Sequence, residues 1–131
     1  MLITLSATII LCLGLVHLAY TFWGPKLTPR DPELQERMKN VSPVISKKTT
    51  MWRAWIGFNA SHSMGAILFG LVYGYLAMTN DAMLFASPFL LIVGAAMLVG
   101  YLLLGWRYWF SIPFTGIAVS TGCYIAGIIL S

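Results

Sequence analysis

The chain has 131 residues, of which 59% are hydrophobic and 9% charged, with a formal net charge of +4. Soluble domains carry roughly 25% charged residues, so this composition excludes a water-soluble globular enzyme and indicates a single, multi-pass transmembrane domain. The basic residues are few and mixed with acids, which argues against a nucleic-acid partner.

The first apolar stretch, residues 2–23, is long enough to cross a bilayer, which takes about 20 apolar residues. It has no basic segment before it, and its run exceeds the 7–15 residues of a signal-peptide core. Tyr20, Phe22 and Trp23 close it where aromatic rings favour the membrane interface. An uncleaved membrane helix is therefore expected, ended by Gly24-Pro25. Ser6, Ile10, Leu13, Gly14, His17, Tyr20 and Thr21 fall on one helical face, the expected interior stripe.

Residues 24–51 form the one sizeable polar segment. Asp31-Pro32-Glu33 has the features of a helix start: an N-cap acceptor, proline at N1 and acid in the first turn. Leu34, Met38 and Val41 follow at helical spacing. A short amphipathic helix on the membrane surface is expected, with a solvated connector or an anionic-lipid contact as its role.

The chain is organised around the next stretch, residues 52–78. Unlike the other spans it carries a dense polar cluster of Asn59, Ser61, His62 and Ser63. At about 100° per residue, Trp52, Trp55, Asn59, His62, Ser63, Ala66, Gly70 and Tyr73 share a face. That face belongs against protein, because lipid leaves Asn and His groups unpaired.

Thr79-Asn80-Asp81 reads as a polar turn. The third span starts either near Ala82 or at the cap-plus-proline signal Ser87-Pro88, the preferred start, and is expected to run to Leu104 (87–104), with Gly94, Met97, Leu98, Tyr101 and Gly105 inside. Trp106-Arg107-Tyr108-Trp109 reads as a basic, aromatic interfacial hairpin. The fourth span, 108–130, aligns Pro113, Gly116, Ser120, Cys123 and Gly127, small residues that let helix backbones approach. Cys12 and Cys123 both fall inside spans, where cysteine behaves as a small hydrophobe.

All eight Lys and Arg residues lie in or beside the first and third connections. With four spans these connections face one side, which the positive-inside rule makes cytoplasmic. The expected fold is all-α: an integral membrane four-helix bundle, N-out and C-out, with the short amphipathic helix in a cytoplasmic loop.

At 1.5 Å per residue, His17, Asn59 and His62 lie about 9, 10 and 15 Å inside the cytoplasmic interface. They can meet between the first and second spans, with Ser63 as a supporting partner and Trp55 or Tyr20 available to stack. Three roles stay open: hydrogen bonding between helices, contact with a quinone carbonyl, and ligation of haem or another metal. No HxxxH, HExxH or CxxCH spacing selects among them. No span buries an Asp or Glu, and there is no nucleophile triad or phosphate loop, so catalysis is not expected. Gly57, Ser61 and Met64 lie roughly opposite His62, giving a Gly57-xxx-Ser61 step, and Gly70-xxx-Gly74 lies further along. Either one face serves the bundle and the other a partner, or the pattern reflects only the ordinary frequency of glycine in membrane helices.

The stretch Arg53-Ala54-Trp55-Ile56-Gly57-Phe58-Asn59-Ala60-Ser61-His62-Ser63 resembles a group of small bacterial inner-membrane proteins with four helices. The overall layout is also similar to DoxX-like proteins. The resemblance implies the fold and a bacterial inner-membrane setting, and it carries over no functional residue. The leading expectation is a non-enzymatic accessory or assembly subunit of a larger membrane complex, or a homo-oligomer. The alternative is a redox-associated or ligand-binding membrane protein that uses His17, Asn59 and His62.

Overall fold

The computed structural model describes residues 1–131 and is entirely helical. Six helices follow in order: α1 (Leu2–Phe22), α2 (Pro32–Asn40), α3 (Met51–Thr79), α4 (Asp81–Ala86), α5 (Pro88–Tyr108) and α6 (Ser111–Ile129). Helices α1, α3, α5 and α6 are long and apolar enough to cross a membrane.

The ends follow local chemistry. α1 stops at Phe22, and Gly24 then turns the chain at φ +82°, a conformation that suits glycine. The Asp31 side chain accepts from the Glu33 amide and starts α2, with Pro32 at its first position. Thr50 caps α3 by accepting from the Arg53 amide, and Ser87 caps α5 by accepting from the Leu90 amide. The expected Thr79–Asp81 turn shrinks to Asn80, because Asn80 caps α4 as soon as α3 ends.

The spans pack as an antiparallel ring in the order α1, α3, α5, α6. Gly14 faces Ala66 and Gly70 faces Leu11, so α3 descends along α1. Gly116 faces Leu13 and Gly127 faces Ile3, so α6 does the same on the other flank. A Cβ on Gly70 would stand 2.5 Å from Leu11 Cβ, which shows how closely those backbones approach. Between α1 and α6, the fully buried Ser6 and Ser120 hydroxyls meet at 2.8 Å, and Ser120 Oγ donates to Ser6 O at 3.0 Å. This pair leaves neither hydroxyl unsatisfied in a medium without water.

The α3–α5 seam is built differently. Here the backbones stand further apart, and large rings fill the gap. Phe69 stacks on Tyr73 at 4.6 Å between centroids, and Tyr124 of α6 meets Tyr73 edge-on at 5.8 Å. The Tyr73 hydroxyl donates to Leu90 O at 2.6 Å and the Tyr124 hydroxyl to Leu91 O at 3.2 Å, both in the first turn of α5. Gly94 accommodates them, since a Cβ there would run into both tyrosines.

Some faces differ from the periodicity reading. The α5 helix runs to Tyr108, beyond the expected Leu104, because nothing in Gly105-Trp106-Arg107 breaks the ladder and Arg107 sits in the last turn, where the helix dipole favours it. The reversal is made by Trp109 and Phe110, and α6 starts at Ser111. Met97 and Tyr20 are partly exposed, at 37% and 42%, rather than interior. On α6 the buried line is Ile117, Ser120, Thr121, Tyr124 and Gly127; Pro113, Gly116 and Cys123 lie at its edge. Phe69, Leu76 and Tyr124 join the core because the wide seam accepts bulk that a small-residue criterion does not look for. Cys12 is exposed.

Candidate functional site

The polar cluster of α3 is ordered from its backbone outward. Asn59 Nδ2 donates to Trp55 O at 2.8 Å, one turn back on the same helix. That bond fixes the amide orientation and aims Oδ1 at α1, where His17 Nε2 stands 3.0 Å away. Because the amide presents its carbonyl oxygen, His17 Nε2 is the donor in this bond. Ser63 supports the arrangement from below, its buried Oγ donating to Asn59 O at 2.9 Å. Trp55, about 43% exposed, uses its indole N–H elsewhere: it donates to Leu27 O at 2.9 Å and ties the Gly24–Thr28 loop to α3.

His62 is placed differently from its neighbours. Three rings surround it edge to face, with centroids at 5.4 Å for His17, 5.2 Å for Tyr101 and 4.9 Å for Trp109. These rings come from α1, from α5 and from the α5–α6 reversal, so one imidazole touches three segments. Yet neither nitrogen of His62 takes part in a hydrogen bond within the chain. The Tyr101 hydroxyl and the Trp109 indole N–H are likewise unpaired. Every fully enclosed side-chain N or O atom in the protein does have a partner. It follows that the polar atoms of His62, Tyr101 and Trp109 are not sealed in by protein.

Gly65 contributes by lacking a side chain. A Cβ there would lie 2.9 Å from the Tyr101 hydroxyl, so glycine lets that hydroxyl rest against α3 beside His62. Two clefts flank the bundle. One, of about 290 Å³, lies between the end of α1 and the start of α3, lined by Tyr20, Thr21, Leu27, Thr28, Trp52 and Ile56. Thr21 and Ile56 are one turn from His17 and Asn59, neither of which lines the cleft. The other, of about 280 Å³, lies at the opposite end beside Ile3, Asp81 and Gly127.

The small residues divide into two sets. Gly70, Gly74, Gly116, Ser120 and Gly127 line the α1 contacts. Gly57 has no atom of another helix within 4 Å of where its Cβ would stand. Ser61 is exposed and bonds only back to Phe58 O at 3.0 Å. No three His, Cys, Asp or Glu side chains come together. The His17–His62 pair is therefore short of the three or four protein ligands of a zinc-type site, and one His17 nitrogen is already engaged by Asn59.

No family model, curated protein or solved structure matches this chain.

Of the residues singled out from sequence, His17, Asn59, His62 and Ser63 meet in one cluster, while Trp55 turns to the loop. Tyr101 and Trp109 are additions to it. Tyr101 was legible as an interior residue of its helix, and Trp109 as part of the aromatic knot. Their meeting with His62 depends on a seam between spans that periodicity along one helix does not describe.

Proposed function

We propose that the chain is a non-enzymatic membrane subunit that binds a neutral, planar, membrane-soluble ligand bearing a carbonyl, of the quinone class, against His62. The observation that carries this reading is that His62 lies ring against ring with Tyr101 and Trp109, and all three side chains have donors left unpaired within the chain. The spans bury no formal charge near them, so the chemistry suits a neutral acceptor rather than an anion or a cation. An imidazole, a phenol and an indole N–H can each donate to a carbonyl, and the surrounding rings can cover the faces of a flat ligand. A hydroxyl or imidazole left facing hydrocarbon is costly, and a ligand of this kind removes that cost.

An accessory role in a larger assembly is the second reading, and it rests on a separate feature. The Gly57–Ser61 face of α3 has no counterpart within the chain, and Phe58 and Met64 beside it are exposed. Small residues on an open face let another helix approach closely. The setting for both is a bacterial inner membrane, with the basic connections on the cytoplasmic side.

The test is titration of the purified protein, in mild detergent, with a short-chain quinone analogue. Tryptophan fluorescence should be quenched saturably and the melting temperature should rise. His62→Phe, which keeps the ring contacts but removes both nitrogens, should abolish the response while leaving the ligand-free melting temperature unchanged. No saturable response in the wild-type protein overturns the ligand reading. Mass analysis of the same preparation for stoichiometric partner chains tests the assembly reading.

A further inference from the structure

A second membrane contact is built into the connection between α2 and α3. The Met51 amide donates to Val41 O at 2.8 Å, closing residues 41–51 into a compact loop at the base of α3. Within it the Ser46 amide donates to Pro43 O at 3.2 Å and the Lys48 amide to Ser46 Oγ at 3.1 Å. The loop is thus held in shape by its own bonds. Its tip is Val44-Ile45, and both side chains are fully exposed, at 108% and 93%. Loop tips are ordinarily polar, and two adjacent branched aliphatic side chains held out by a bonded turn form an exposed apolar point. Lys47 and Lys48 follow at once, both exposed. No acid lies within the loop, and the nearest acid before it, Glu36, pairs with Lys39.

We infer that Val44 and Ile45 insert into the headgroup layer of the adjoining leaflet and that Lys47 and Lys48 hold anionic lipid phosphates beside them. The location fits, because the loop closes on the first residue of α3. With its ends tied together, the tip reaches at most roughly 15 Å from the loop base, so it stays near the membrane surface and within reach of the headgroups. The charge fits too, since a lysine pair beside an apolar point matches an anionic surface and not a neutral one. The contact is independent of the His62 cluster, which lies on α3 beyond the loop.

The experiment places a nitroxide on Ile45→Cys in a Cys12→Ala, Cys123→Ala background. The full chain is studied one copy per nanodisc, with and without phosphatidylglycerol. Collision with oxygen, which partitions into lipid, is compared with collision with a water-soluble nickel chelate. The expected result is an oxygen-dominated signal in anionic discs that weakens in neutral phosphatidylcholine. Replacing both lysines with Gln should lower the inserted-to-withdrawn ratio roughly 30-fold, because each basic side chain near an anionic surface contributes about a factor of five. A label on Val44→Cys should behave alike, and one on Asn40→Cys should stay water-accessible. A nickel-dominated signal at both tip positions in anionic discs overturns the inference. So does shielding that ignores lipid charge, or that arises only when two copies share a disc.

Discussion

His17 donates from Nε2 to Asn59 Oδ1 at 3.0 Å, while the adjacent His62 makes only ring contacts. The two histidines therefore divide the roles that sequence alone left open for both. The first joins α1 to α3, and the second is free to meet something else. Hydrogen bonds between membrane helices contribute about 0.6 kcal/mol on average and up to roughly 1.7. A double-mutant cycle with His17→Ala and Asn59→Ala should give a coupling energy in that range, measured by reversible unfolding in detergent. His62→Phe should cost little in the same assay, because it keeps the ring contacts and breaks no hydrogen bond. A coupling near zero for the first pair, with a large loss for His62→Phe, would reverse the assignment.

The polar half of this arrangement is legible in the amino-acid sequence, and the aromatic half is not. Asn59, His62 and Ser63 stand out because polar residues in an apolar span must find protein partners, and compatible depths from the interface paired them with His17. Tyr101 and Trp109 carry no such mark: aromatic residues near span ends are ordinary interfacial anchors. Which ring lies against His62 follows from the α3–α5 spacing, itself set by Tyr73, Phe69 and Tyr124. The same spacing explains why small-residue stripes located the α1 contacts at Gly70, Ser120 and Gly127 but passed over Tyr124, which is wholly buried.

Packing should be most sensitive where α1 and α3 nearly touch. A leucine at position 70 must displace Leu11 or the backbone at Ala7, whose carbonyl oxygen lies 2.9 Å from the new Cβ. Overfilled contacts of this kind cost typically 1–3 kcal/mol, so Gly70→Leu should lower the melting temperature clearly. Ala66→Leu should do likewise against Gly14. Leu68→Phe, on a side chain 62% exposed, and Gly57→Leu, which meets nothing within 4 Å, should leave the isolated chain unaffected. If Gly57→Leu proves harmless to the purified chain yet removes a co-purifying subunit, the open face is the docking surface of the second functional reading.

Orientation is testable through the basic residues. The Lys and Arg side chains gather around the α1–α3 and α5–α6 connections, and the antiparallel ring brings those to one end of the bundle. The positive-inside rule then predicts that a reporter inserted near Asn40 is active only as a cytoplasmic type. One fused after Ser131 should be active only as a periplasmic type. The opposite pattern of activity would reject the N-out, C-out arrangement.

The sharpest contrast within the wide seam compares two glycines of the same helix. Gly→Ala in a helix interior ordinarily stabilises by about 1 kcal/mol, because alanine restricts the unfolded chain and shields the backbone. Gly100 has no atom within 4 Å of its would-be Cβ, so Gly100→Ala should show that gain or no change. At Gly94 the same methyl would meet the Tyr73 ring at 2.8 Å and collide with the Tyr124 hydroxyl. Both tyrosines are pinned by bonds to Leu90 O and Leu91 O, so neither ring can retreat without breaking one. Gly94→Ala should therefore destabilise by about 1–3 kcal/mol, the usual cost of overpacking, despite adding the same single methyl. Combining it with Tyr124→Leu, which removes the obstructing ring end, should recover part of that loss. Equal melting temperatures for the Gly94→Ala and Gly100→Ala proteins would mean that the rings do not fill the α3–α5 seam as described.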